Sequence, residues 1–236
     1  QLTPQQGDMV RELVKDCISE KDTVKALYQF LQRKTRYVAI SLGIGGYQPH
    51  AAASVLANGY GDCKDLATSY ATMLGVIGIK AYPVLLRTQD EGTVLVDFPS
   101  NQFNHVIAFV PLPKDTLWLD CTCEYCPFGE LPWQDEGCQT LVIREDTTSV
   151  IVQTPTSLAK ENKFNRSVHA KLEPDGSMEV SGILTATGNF ESYYRQLLNS
   201  LDAEKKKEWL GSLIGRYAPS YTLLRTDFVR ISNLDI

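Results

Sequence analysis

The chain has 236 residues, 43% of them hydrophobic and 22% charged, with a net charge of −5 at pH 7. That length suits one well-cored domain and part of a second, and an acidic balance with scattered Lys and Arg excludes a basic nucleic-acid surface. Apolar runs such as 74–79 and 106–112 fall far short of the ~18 residues a membrane helix needs, so no membrane-spanning segment is expected, and no charged-then-apolar leader opens the sequence.

Residues 8–18 read as a helix through Met9, Leu13, Val14 and Cys17. Ser19 begins a Ser-x-x-Asp stretch that resembles a capping box, and a second helix runs to about Arg33 with Val24, Leu27, Tyr28 and Leu31 on its apolar face. A short strand over 37–40 leads into the glycine-rich loop Gly43-Ile44-Gly45-Gly46. Residues 51–57 make a helix that ends at Asn58-Gly59. The clearest element spans 63–77, where Leu66, Ala67, Tyr70, Ala71, Leu74 and Ile77 form one apolar stripe headed by Cys63. Lys64, Asp65, Thr68, Ser69 and Thr72 form the opposite polar face, and Gly78 is the stop signal.

Strands are expected at 81–87, 104–110, 116–121 and 140–144. Helices first and antiparallel strands after them argue for an α+β domain rather than a wound parallel sheet. Composition shifts over 155–165, and beyond it 163–172 and 177–187 flank Pro174-Asp175-Gly176, a hairpin signal. Two amphipathic helices follow, with Asn189 and Asp202 as N-caps. A first domain over 1–155 and the beginning of a β-rich second domain with two helices over 156–236 are therefore expected. The closing Asn233-Leu234-Asp235-Ile236 carries no stop signal.

Cys63 follows Gly59-Tyr60-Gly61-Asp62 and opens its helix. The unpaired N–H groups and positive dipole end there favour a thiolate, and the Cys63 backbone N–H is a candidate oxyanion donor. The glycines let the backbone turn sharply and let a substrate approach. The plainer reading is a small buried hydrophobe. A nucleophilic cysteine needs a base, and the chain has three histidines. His105 lies in the apolar strand Phe103-Asn104-His105-Val106-Ile107, His50 in a loop before a helix, and His169 in the C-terminal hairpin. Asp120 ends the apolar Leu117-Trp118-Leu119, and a carboxylate buried there needs a partner, for which His105 is the economical candidate.

The blocks Gly61-Asp62-Cys63-Lys64-Asp65-Leu66-Ala67, Phe103-Asn104-His105-Val106 and Trp118-Leu119-Asp120 resemble the three signatures of the transglutaminase-like superfamily in order and spacing. Phe128-Gly129-Glu130-Leu131-Pro132 and Leu141-Val142-Ile143 resemble the bacterial branch in which this domain sits between β-rich flanking domains. The resemblance spans 20–150, and 156–236 resembles the branch's C-terminal β-domain. It implies a transglutaminase-like, papain-like core with the Cys helix packed on an antiparallel sheet carrying His and Asp. It implies Cys63 as nucleophile, His105 as base and Asp120 as orienting acid, acting on peptide or isopeptide amides through a thioester. It also implies a location outside the cytoplasm, in the periplasm or envelope. Gln48 or Tyr47 in the preceding loop is a candidate second oxyanion donor. The rival reading is a catalytically silent binding module of an envelope protein.

No cofactor and no metal are expected, and the partner is a peptide or protein substrate. Cys121-x-Cys123-x-x-Cys126 with Cys138 departs from paired Cys-x-x-Cys zinc knuckles, which favours a disulfide or unrelated thiols. The 43–46 loop lacks the Gly-Lys-Ser/Thr ending of a phosphate cradle. No Asp-rich calcium loop appears. Trp118, Phe128 and Trp133 either line a cleft or pack a core. With no sequence sign of a water-excluding amine tunnel, hydrolysis is expected to dominate over cross-linking. A four-residue loop over 111–114, suggested by Pro111 and Pro113, pairs Val110 with Asp115 and His105 with Asp120, placing both triad residues on one face with Ile107, Phe109 and Trp118.

Overall fold

The computed structural model describes residues 1–39, 43–144, 148–218 and 220–232. It divides into two compact units, Gln1–Thr156 and Ser157–Ile236. In the first unit α1 (Pro4–Val14) starts earlier than the apolar spacing indicates. Thr3 and Gln6 form a reciprocal capping box and Pro4 takes the first turn, so local capping sets the boundary. Cys17 lies beyond the helix as a result. α2 (Glu20–Lys34) is capped by Ser19, whose hydroxyl accepts from Asp22 N at 3.1 Å, and it buries the anticipated Val24, Leu27, Tyr28 and Leu31.

β1 (Arg36–Tyr37) pairs in parallel with β2 (Tyr60–Gly61), with a 3-10 turn over Gly43–Gly46 and α3 (Ala52–Asn58) between them. Ile40, the expected end of the first strand, lies outside the described residues. Gly59 closes α3 with φ 72°, a left-handed conformation that favours glycine. α4 (Cys63–Val76) buries Leu66, Ala67, Tyr70, Met73 and Leu74, where each large apolar side chain contributes about 1.5–3 kcal/mol. It packs against α1, α2, α3, β3 (Tyr82–Leu86) and β4 (His105–Leu112). This enclosure corrects the expected polar face: Asp65 and Ser69 are buried, because neighbours cover α4 on more than one side.

Among the described residues the main sheet has the order β5-β4-β3-β6-β7, with β5 Asp115–Leu119, β6 Gln139–Val142 and β7 Val150–Gln153. Its ladders are antiparallel, as an α+β domain requires. β7 and the 3-10 turns Gln89–Glu91 and Trp133–Asp135 were not foreseen. The register of β4 and β5 differs from expectation. Val110 pairs with Leu117 and Leu112 with Asp115, which leaves Pro113-Lys114 as the turn. Pro111 belongs to the strand because β3 pairs with β4 only as far as Phe109, so the missing N–H disturbs no ladder on that side. A two-residue slip keeps every side chain on its face. Ile107, Trp118 and Phe109 pack on one side with Val84, Leu86 and Val142, while Ala108, Val110, Leu117 and Leu119 join the helical core on the other.

In the second unit β8 (Phe164–Leu172) and β9 (Met178–Ala186) form the anticipated hairpin. α5 (Asn189–Ser200) and α6 (Ala203–Gly215) follow it. Asp202 caps α6 as expected, whereas Asn189 is the first helical residue of α5 behind Gly188, its N–H donating to Asn162 Oδ1 at 2.8 Å. Phe164 stacks on Tyr194, which meets Trp209 edge-on.

Candidate active site

Three elements converge: the head of α4, the start of β4 and the end of β5. Asp62 caps α4 by accepting from Asp65 N, and Asp65 returns a carboxylate to Asp62 N. Cys63, partly exposed, is therefore the first helical residue, in the turn whose N–H groups lack intrahelical acceptors. Gly61 makes this arrangement possible. A Cβ there would lie 2.7 Å from Asp65 Cβ, so the glycine serves close packing onto its own helix rather than room for a substrate. Lys64 pairs with Asp62. His50 donates its N–H to Asp65 Oδ1 at 2.7 Å and sets Nδ1 3.0 Å from Oδ2, fastening the loop to the first turn of α4.

His105 opens β4 with its side chain 15% exposed, and Nε2 lies 3.4 Å from Asp120 Oδ1. Cys63 is also near enough to the imidazole to favour its charged form. Burial works to lower the imidazole pKa, but the Asp120 charge and hydrogen bond outweigh it, helped by Cys63 and Asp135, and hold it well above the ordinary value. Asp120 Oδ1 accepts from both Thr122 N and Thr122 Oγ1 at 2.8 Å. Burial pushes the Asp120 carboxyl up, while His105 and Thr122 bring it net below the usual range. The structure thus brings Cys63, His105 and Asp120 into one neighbourhood.

α2 holds the segment after β5. Tyr28 Oη donates to the Asp120 carbonyl at 2.8 Å, and Gln32 Nε2 donates to the carbonyls of Cys123 at 2.9 Å and Cys126 at 3.1 Å. Cys123 and Cys126 form a disulfide, while Cys121 and Cys138 are buried free thiols. Tyr47 and Gln48 are exposed, and both backbone N–H groups bond to the Ile44 carbonyl. No bond among the described residues ties either to Cys63, His105 or Asp120. His169 is exposed on the hairpin. Trp118 and Phe128 are core residues, packed on Phe109 and Tyr28, and Trp133 is half exposed.

Two residues near the site were missed in the sequence. Tyr37 is half-buried, and its phenol pKa is raised by that burial and by the neighbouring Cys63. Asp135, in the 3-10 turn, is buried with Oδ2 3.8 Å from His105 Nε2. The donor atoms of His105, Asp120 and Asp135 lie within 4.8 Å of one another, close enough for a cation. Asp120 Oδ1 is already occupied by Thr122 and His105, so what the site displays is a hydrogen-bonded cluster. The four late cysteines form no such group among the described residues.

A family model described as the transglutaminase-like superfamily matches residues 7–123, a span that contains Cys63, His105 and Asp120. A crystal structure of a candidate protease from Parabacteroides distasonis is similar, with a TM-score of 0.51 at 12% identity over 72% of this chain and 33% of that one. That likeness is one of fold. A candidate cysteine protease from Cytophaga hutchinsonii gives 0.43 at 12% identity over 78% of this chain and 52% of that one. A structure described as a TGase gives 0.38 at 20% identity over 52% and 34%. The chain therefore spans about a third to a half of the length of these proteins. Comparison with curated proteins finds no match.

Proposed function

The chain belongs to the transglutaminase-like superfamily through its first unit, and from that premise we propose that it is a cysteine enzyme transferring acyl groups from peptide or isopeptide amides. The observation that carries the reading is the grouping of Cys63, at the head of α4, with His105 and the buried Asp120 that lies 3.4 Å from its Nε2. With Nε2 facing Asp120, the other ring nitrogen is left for the thiol. His105 takes the Cys63 proton, and Asp120 holds the ring and stabilises its charged form. The thiolate attacks the amide carbonyl, the imidazolium protonates the departing ammonia or amine, and a thioester remains. His105 then deprotonates water to release an acid, or an amine to form a new amide.

The Cys63 backbone N–H is the proposed first oxyanion donor. Gln48 or Tyr47 is the proposed second, through its side chain, since both backbone N–H groups are bonded to the Ile44 carbonyl. Among the described residues no helix is long and apolar enough to cross a membrane. The Cys123–Cys126 disulfide supports a location outside the cytoplasm, since such bonds persist in oxidising compartments. Acid-quenched mass spectrometry after incubation with a mixed peptide pool tests the reading. A hydroxylamine-sensitive acyl adduct on Cys63, absent from Cys63→Ala, is expected. Peptide binding without any adduct would instead make the domain a silent binding module.

A further inference from the structure

We infer that Asp135 is a positioning residue for the proposed triad, sharing a proton with Asp120 and so fixing the carboxylate that orients His105. The inference rests on the triad reading and extends it. It starts from a buried acid without a donor. The Asp135 side chain is 1% exposed, and among the described residues no N–H or O–H reaches its Oδ2. Its main chain is clamped: the N–H donates to the Pro132 carbonyl at 2.9 Å, and the carbonyl accepts from Thr154 Oγ1 at 2.5 Å. Thr154 Oγ1 in turn accepts from Cys138 N at 2.9 Å, so the end of the β6–β7 ladder at which Gln139 pairs with Gln153 holds the turn in place.

The groups facing Asp135 are Asp120 after β5, His105 on β4, Asp90 in the Gln89–Glu91 turn, the Cys138 thiol and the Tyr28 phenol. Of these, only His105 carries a positive charge, and its nitrogen lies nearer Asp120, at 3.4 Å, than Asp135, at 3.8 Å. One imidazolium cannot neutralise two buried carboxylates, and an uncompensated buried charge is costly. One carboxylate oxygen of Asp135 and one of Asp120 lie within 4.8 Å of each other, and two ionised carboxylates cannot donate to one another, so the hydrogen bond inferred between them requires a proton. Placed on Asp135, that proton leaves the cluster with one imidazolium and one carboxylate. Asp120 is then gripped by Thr122 and His105 at Oδ1 and by the Asp135 acid, which removes its freedom to rotate away from the imidazole. Burial and the Asp120 charge push the Asp135 pKa up to about 8, against the opposing pull of His105.

The test uses histidine-ring NMR and Cys63 alkylation on the full chain, comparing Asp135→Asn and Asp135→Ala with wild type. Besides the imidazole's own titration, wild type should show a second step in the His105 ring resonances near pH 8, where Asp135 ionises. Asp135→Asn, which still donates to Asp120, should lose that step yet keep Cys63 alkylation at pH 7 within about twofold. Asp135→Ala should lower the His105 pKa by about one unit and slow Cys63 alkylation about tenfold. A purely structural residue would not produce this split between the two variants. If the Ala variant fails to fold, persistence of the step in Asp135→Asn overturns the inference, and its loss supports it. Both variants matching wild type, while Cys63 labelling still depends on His105, overturns the inference alone. Labelling independent of His105 would remove the triad itself, and this inference with it.

Discussion

Asp120→Asn keeps the shape of the side chain and removes its charge. Asn can still accept from Thr122 N and Thr122 Oγ1, so the loop after β5 retains its anchor. What is lost is the main influence holding the His105 imidazole above its ordinary pKa, against a burial that works to lower it. A close opposite charge is worth about 1–3 pKa units, and each unit is a factor of ten in the protonated fraction. Cys63 alkylation by iodoacetamide at pH 6–7 should therefore slow by about ten- to a hundredfold, because fewer imidazoles hold the thiol proton. Stability should fall by only about 2 kcal/mol, since His105 can shed its proton rather than stay charged and unpaired. The sign follows from linkage. The His105 contribution is complete below its unfolded pKa and fades as pH rises through the raised folded value. The Asp120 contribution is present above the unfolded carboxylate pKa and fades as pH falls through its lowered one. The gap between wild type and variant should thus be widest between these limits in urea melts across pH. A folded variant alkylated at the wild-type rate would refute the reasoning.

Asp135→Asn should gain thermal stability relative to wild type as pH rises. The unfolded acid ionises near 4 while the folded one holds its proton to about 8, so wild type alone loses stability across that window; an unchanged Tm difference from pH 5 to 8 would contradict this. Gly61→Ala should cost about 1–3 kcal/mol and slow Cys63 labelling, because the new Cβ would meet Asp65 Cβ at 2.7 Å. A variant as stable as wild type would show that the α4 head yields easily. Replacing Cys123 and Cys126 by Ser should cost about 2 kcal/mol for so short a loop, read from urea midpoints under non-reducing conditions.

Much of this architecture is legible in residue order, and the parts that are not have physical reasons. The Ser19 cap and periodicity of α2 and the apolar stripe of α4 reveal both helices, and the alternation in β4 and β5 assigns each side chain to its face. The register escaped because a shift of two residues preserves that alternation, and because Pro111 suggests a loop where a strand paired on one side accepts it. Asp65 reads as solvent-facing on a helical wheel, yet Gly61 and His50 close over it. Asp135 lies in an aperiodic stretch, where pattern says nothing about burial; only the topology that brings the Trp133–Asp135 turn to the start of β4 reveals it.

The most direct test is site-resolved labelling with limiting iodoacetamide at neutral pH, followed by peptide mass mapping. Cys17 and Cys63 are both partly exposed, whereas Cys121 and Cys138 are buried, so Cys17 is the internal reference for access. Cys63 should be labelled well ahead of Cys17 and the buried thiols in wild type, and should fall to the Cys17 rate in His105→Ala. Equal rates at Cys63 and Cys17 in wild type, or no response to His105→Ala, would contradict a thiol activated by His105.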